Sequence, residues 1–107
     1  MEIKQYQIVI VNLDPTIGSE IRKTRPCLVI SPDEMNKHLR TITIAPVTSA
    51  SQDYPTRIRF TLDGNISWIS IDQVRTIDKS RVIKVIGNLD IKDIRKVKAT
   101  IKETFVD

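Results

Sequence analysis

The chain has one cysteine and one histidine, and that scarcity removes several kinds of chemistry at once. Cys27 has no second cysteine to pair with, so no disulfide forms within the chain and a reducing compartment is expected. It lies in an apolar run with no histidine base nearby in sequence, which suits a buried small hydrophobe rather than a nucleophile. His38 and Cys27 together fall short of a zinc site built from the usual nitrogen and sulfur ligands, and His38 reads as a surface residue. With a single histidine in no matching context there is no Ser-His-Asp set, and the 3 glycines form no phosphate-cradling loop. No apolar run approaches the length of a membrane span, and the opening residues do not resemble a signal peptide. The expectation is a soluble, cytoplasmic protein with no membrane partner. Repeats, low-complexity runs and linkers are also missing, so residues 1–107 are read as one domain.

What is present is an ordinary soluble mix, 40% hydrophobic and 28% charged, with 17 Lys+Arg against 13 Asp+Glu and a net charge of +4. The positive balance leans mildly towards an anionic partner. A core of this size is small, and such a chain gains from an oligomer that buries more surface.

Most of the chain reads as short strands. Tyr6 to Leu13 is rich in β-branched residues, and Asp14-Pro15-Thr16 ends it with turn chemistry. Ile17 to Thr24 is a charged loop that runs into a strand over Pro26 to Ser31. Pro26 cannot donate to a ladder and belongs at a strand start or edge, and it pushes Arg25 towards extended geometry. Ser31-Pro32-Asp33-Glu34 reads as the start of a short helix ending near Asn36 or His38, with a capping hydroxyl, a proline and then acids that suit the helix dipole. Thr41 to Ala45 alternates as a half-buried strand that Pro46 ends, leaving Val47 to Pro55 as a polar loop. Arg57 to Leu62 alternates cleanly, with Ile58, Phe60 and Leu62 on one face and Arg57, Arg59 and Thr61 on the other. Asp63-Gly64-Asn65 is a hairpin turn. Ile66 to Ile77 is a long strand whose apolar phase changes between Trp68 and Ile69, which predicts a bulge there. Asp78-Lys79-Ser80 turns the chain into a strand from Arg81 to Ile86, broken by Gly87-Asn88.

The last element is a helix. Ile91, Ile94, Val97, Ile101 and Phe105 form one apolar stripe, and Asp90 caps its start with Asp93 three residues on. Lys92, Arg95, Lys96 and Lys102 form its solvated face. Several short strands and one terminal helix make a mainly β fold, a small bent barrel with the helix packed against it.

Polar residues that strands do not need gather in three places: Gly18–Thr24, Val47–Pro55 and Asp72-Gln73-Val74-Arg75. A guanidinium is a planar, permanently charged fork that fits phosphate oxygens. The hydroxyls of Thr48 and Ser49 can donate to the same oxygens, and Glu20 can accept a proton. Arg25, Thr48, Ser49 and Glu20 are thus a coherent set for phosphodiester cleavage without a metal or other cofactor, with the 2′-OH of RNA as the attacking group.

In Asn12 to Glu20, Arg25 to Pro32, Ala45-Pro46-Val47-Thr48-Ser49, Tyr54-Pro55 and Asp72 to Asp78 the sequence resembles the MazF/PemK family of toxin endoribonucleases, in order and over essentially the whole chain. The resemblance implies a small SH3-like β-barrel of the CcdB/MazF type and a homodimer. It implies metal-independent cutting of single-stranded RNA at short motifs, leaving a cyclic phosphate on one fragment and a 5′-hydroxyl on the other. The family's main catalytic pair maps onto Arg25 and Thr48, and its loop glutamate onto Glu20. Ser19, Lys23, Thr24, Ser49, Tyr54, Arg57 and Gln73 are the expected RNA contacts. A cognate antitoxin with an acidic flexible tail is the expected protein partner. The sequence departs from the pattern at Thr56, where an aromatic often follows Tyr-Pro, and in the charged stretch Ile21 to Thr24. Both touch base selection. Two other readings stay open: a CcdB-like toxin that binds gyrase through its final helix, and an RNA-binding module that cuts nothing.

Overall fold

The fold is described from a computed structural model in which residues 1–13, 23–50 and 53–106 are defined. Among them seven strands form one antiparallel sheet. They are β1 (Gln7–Asn12), β2 (Thr24–Val29), β3 (Thr41–Thr48), β4 (Arg57–Leu62), β5 (Asn65–Ser70), β6 (Arg75–Asp78) and β7 (Val82–Asn88). Two α-helices, α1 (Asp33–His38) and α2 (Ile91–Ile101), complete it, the second running on into a π-helical turn over Lys102–Val106. The strand order is β4-β5-β3-β2-β1-β7, with β6 also paired to β3. The sheet therefore curls into a half-barrel with α2 against it, as the strand-rich pattern predicts.

Alternation along the strands feeds two cores, one on each face of the sheet. Ile8, Leu28, Ala45, Val47, Ile58, Phe60, Ile69 and Ile71 form the first, and Val97 of α2 closes it. Val9, Val11, Cys27, Val29, Ile42, Ile44 and Ile77 form the second. β1, β2 and β3 are buried on both faces, which is why their sequences read as nearly continuous apolar runs.

Several boundaries differ from the sequence reading, each for a physical reason. Pro46 does not end a strand: β3 continues to Thr48, and Val47 is buried in the first core. Pro46 sits where β3 passes from β6, last paired at Ile44, to β5, first paired at Val47. A residue without an N–H is tolerated in such a gap between partners. Pro26 likewise lies inside β2, two residues after its start at Thr24, where β1 pairs with it but the ladder to β3 has not begun. The stretch Ile66 to Ile77 is broken by a 3-10 turn at Ile71–Gln73, not bulged at Trp68 and Ile69. Burial of Ile69, Ser70 and Ile71 in succession produces the apparent change of phase. Gly87 continues β7 instead of breaking it, beside a register shift opposite Ile8 and Val9.

Ser31 does not cap α1. Pro32 stands at the cap position without a side-chain bond. Ser31 Oγ instead donates to Asn36 Oδ1 and accepts from the Thr43 N–H, while Asn36 Nδ2 donates to the Ser31 carbonyl. This buried knot ties the short helix to β3. The Asp63-Gly64 turn is as expected: Leu62 pairs with Asn65, and both turn residues take positive φ, at 50° and 80°. Asp90 caps α2 by accepting from the Asp93 N–H at 3.1 Å. The apolar stripe of α2 is buried only in its middle. Val97 is enclosed and Ile94 and Ile101 pack on the core, whereas Ile91 and Phe105 at its two ends are exposed.

Candidate active site

The β2–β3 ladder pairs Cys27 with Pro46 and Leu28 with Ala45. Continued two residues further, the same register sets Arg25 opposite Thr48. The two line one depression of about 230 Å³, together with Pro26, Val47, Ser49 and Ser67. Its floor is strand backed by core, so both side chains spring from rigid backbone. Arg25 and Ser49 are exposed and Thr48 is half-buried. The Ala50 N–H donates to Thr48 Oγ1 at 3.2 Å, a local turn bond that fixes the hydroxyl oxygen and leaves its hydrogen to point elsewhere.

Cys27 lies just below. It is fully buried, and burial pushes its thiol up to about 12 against the opposing pull of Arg25 and Arg75. The thiol stays protonated, its Sγ donating to the Arg25 carbonyl at 3.7 Å. Cys27 is thus a structural hydrophobe, as the sequence suggests.

The predicted site residues separate into three groups. Arg25, Thr48 and Ser49 come together, and Lys23 and Thr24 stand exposed where the chain enters β2. Glu20 and Ser19 lie outside the described residues. Tyr54, Arg57 and Gln73 form no part of the depression and belong to another neighbourhood. There Arg57 grips Asp72 with two bonds, Nε to Oδ1 at 2.8 Å and Nη2 to Oδ2 at 3.1 Å. Thr56 Oγ1 donates to the same carboxylate at 3.1 Å. The Arg57 guanidinium also lies 5.8 Å from the centre of the Tyr54 ring. The Arg57 bond holds the Asp72 carboxyl below the usual carboxylate range, with help from Thr56, and the same bond raises the Arg57 pKa. Arg57, expected on an outward basic face, has its side chain only 15% exposed. Its charge is matched locally because Asp72 arrives on the 3-10 turn that interrupts the expected long strand. Gln73 is exposed at the end of that turn.

Two residues absent from the predicted set stand out. Arg75 is exposed on β6 opposite Ile44, near enough to Cys27 to act on its thiol. Trp68 on β5 faces Thr48 directly across the ladder. The sequence names Arg75 in its polar stretch, but only the sheet order brings it towards Arg25. For Trp68 the signal is the period-two pattern, with buried Ser67 and Ile69 on either side of it.

Comparison with known proteins identifies the family and the fold. The family model for PemK-like, MazF-like toxins of type II toxin-antitoxin systems matches residues 4–105. Endoribonuclease EndoA of Bacillus subtilis is 34% identical over 104 residues, covering 91% of this chain and 89% of its own. The Mycobacterium tuberculosis toxin MazF-mt6 superposes with a TM-score of 0.78 at 25% identity, covering 92% of this chain and 95% of its own. A MazE-MazF structure from Deinococcus radiodurans gives a TM-score of 0.82 at 24% identity, covering 96% and 95%, a likeness of fold. The chain that sets Arg25 beside Thr48 on a curled antiparallel sheet belongs to the PemK-like, MazF-like family of type II toxin-antitoxin toxins.

Proposed function

We propose that the protein is an endoribonuclease toxin that cuts single-stranded RNA at short sequence motifs without a metal. The observation that carries this reading is the shared depression of Arg25 and Thr48. In the reaction the 2′-OH gives up its proton and its oxygen attacks the adjacent phosphorus. The P–O5′ bond breaks, and the 5′ oxygen takes a proton. The products are a 2′,3′-cyclic phosphate and a 5′-hydroxyl. Charge grows on the non-bridging oxygens in between, and a guanidinium fixed on a strand meets it without reorganising. Arg25 fills that role, the Thr48 hydroxyl donates to the same oxygens, and Glu20 serves as the acid–base partner. Lys23, Thr24, Ser19 and Ser49 hold the flanking RNA, Tyr54 and Gln73 extend those contacts, and Arg57, paired to Asp72, acts through the Tyr54 segment it steadies.

The chain works as a homodimer in the cytoplasm, restrained by an antitoxin whose acidic tail competes with RNA for the Arg25–Thr48 site. A mycobacterial endoribonuclease of the same fold is known in complex with its cognate antitoxin. Incubating purified protein with single-stranded RNA in the presence of a chelator tests the reading. Discrete fragments with cyclic-phosphate and 5′-hydroxyl ends support it. Full activity in a folded Arg25→Ala variant overturns the mechanism, and inhibited supercoiling with intact RNA favours gyrase binding instead.

A further inference from the structure

Trp68 is the one tryptophan of the chain, and it is not placed as core tryptophans are. It stands on β5 between Ser67 and Ile69, both buried, so alternation turns it to the opposite side of the strand. It is half-buried, yet it belongs to neither hydrophobic cluster of the described residues. Two cross-strand registers fix its neighbours. Thr48 lies opposite on β3, and Arg59 lies opposite on β4. Directly opposed residues project to the same face at contact distance. Thr48, Trp68 and exposed Arg59 therefore form one row across three strands, leading away from Arg25. The indole Nε1 also donates to Asp53 Oδ1 at 3.4 Å, which limits rotation of the ring.

A hydroxyl, an indole face and a guanidinium in a row match the repeat of a single strand: phosphate, base, phosphate. Bases stack on aromatic rings whatever their sequence, and a cation beside the ring tracks the backbone. We infer that Trp68 is a base-stacking platform for the nucleotide next to the scissile phosphate, held in orientation by Asp53 and flanked by Arg59 as a phosphate contact. Trp68 touches a base rather than the reacting atoms, so it sets affinity and register, not the chemistry. This inference rests on the ribonuclease reading of the Arg25–Thr48 depression.

Because the chain has a single tryptophan, its fluorescence reports on this position alone. The probe is a short single-stranded DNA copy of the motif read from the 5′ ends of the RNA fragments, which lacks the 2′-OH and so binds without being cut. Its binding to the full chain is followed independently by anisotropy of an end label. Stacking quenches the Trp68 emission with the same midpoint as the anisotropy change, and one abasic position in the probe abolishes the quenching. In RNA cleavage, Trp68→Leu lowers kcat/KM by roughly 5- to 150-fold, the range expected for one lost base stack. Trp68→Phe recovers most of it. Asp53→Ala, which leaves the indole in place but removes its acceptor, reduces the quenching amplitude.

A probe that binds while Trp68 emission stays constant overturns the platform and leaves the ribonuclease reading standing. So does a folded Trp68→Leu variant with unchanged kcat/KM. Failure of the protein to bind the probe or cut RNA at all overturns both. The quenching measurement uses the native protein, so it decides even if Trp68→Leu does not fold.

Discussion

Arg25 and Arg57 stand on strands of the same sheet, and the bare sequence offers both as arms for an anionic ligand. They differ in what lies beside them. Arg25 rises exposed over a buried, neutral thiol, with the Thr48 hydroxyl across the ladder. Arg57 lies largely covered against Asp72, Thr56 and the Tyr54 ring. Among the described residues Arg25 meets no carboxylate, whereas Arg57 is held by Asp72. The lesson is that a cation marks an anion site only when the fold supplies no local counter-charge. A strand pattern shows which way a side chain points but not what arrives from elsewhere in the chain to meet it.

Replacing the two arginines in turn is the direct way to break this comparison. Arg25→Ala is expected to cut the cleavage rate by roughly 10²- to 10³-fold, the usual cost of removing one donor to a developing oxyanion. Its thermal stability should stay within about 0.5 kcal/mol of the parent, as for exposed side chains generally. Arg25→Lys should recover little, because a point charge does not reproduce the planar fork. Thr48→Ala should fall in the same range and Thr48→Ser should regain most of the rate. Cleavage assays beside melting curves check all four. A stable Arg25→Ala protein that cuts at the parent rate would erase the difference between the two arginines.

At Arg57 the balance reverses. Arg57→Ala leaves the Asp72 carboxylate without its bidentate partner, so stability should fall by about 1 kcal/mol, towards the upper end for pairs near the surface. Cleavage should change only a few-fold, through slackening of the Thr56 and Tyr54 connection. Denaturant titration of Arg57→Ala and Asp72→Asn, alone and combined, measures the coupling.

Acid sharpens the contrast further. Asp72 has a carboxyl pKa lowered in the folded protein, so its contribution is present above the ordinary carboxylate pKa and disappears as the pH drops through the lowered value. The stability gap between the parent and Asp72→Asn should therefore be constant near neutrality and close progressively below about pH 4. Melting temperatures of both proteins across that range test the sign; a gap that widens in acid contradicts it.

The smallest effect is expected away from both arginines. Lys98→Ala and Lys102→Ala sit on the exposed face of the C-terminal helical segment, and each should change stability by less than about 0.5 kcal/mol. RNA cleavage at moderate salt should stay as it is.

Much of the architecture is legible in the sequence. β4, the Asp63-Gly64 turn and the Asp90 cap follow from patterns contained in a few consecutive residues, and they came out as expected. The errors share another character. Pro46 reads as a terminator locally and is accommodated only because β3 changes partner at that point. Ser31 has the chemistry of a cap, but Asn36 and Thr43 compete for its hydroxyl. Arg57 has the alternation of an outward residue, and Asp72 reaches it across 15 positions of sequence. The site shows the same division. Arginine and threonine as partners of phosphate oxygens are properties of the residues, and their standing as a catalytic pair comes from the family resemblance. The row from Thr48 through Trp68 to Arg59 depends on two strand registers that no local pattern encodes.

The central strand also bears on when the protein becomes able to act during its synthesis. β3 carries Thr48 but takes its neighbours from β2 before it and from β5 and β6 after it. Val47 pairs with Ile69, and the core it shares with Ile69 and Ile71 is closed by Val97 of the last helix. A chain still emerging from the ribosome thus owns Arg25 and Thr48 without the frame that holds them side by side. Its potential for harm appears late and all at once, when the final third of the polypeptide is free to dock.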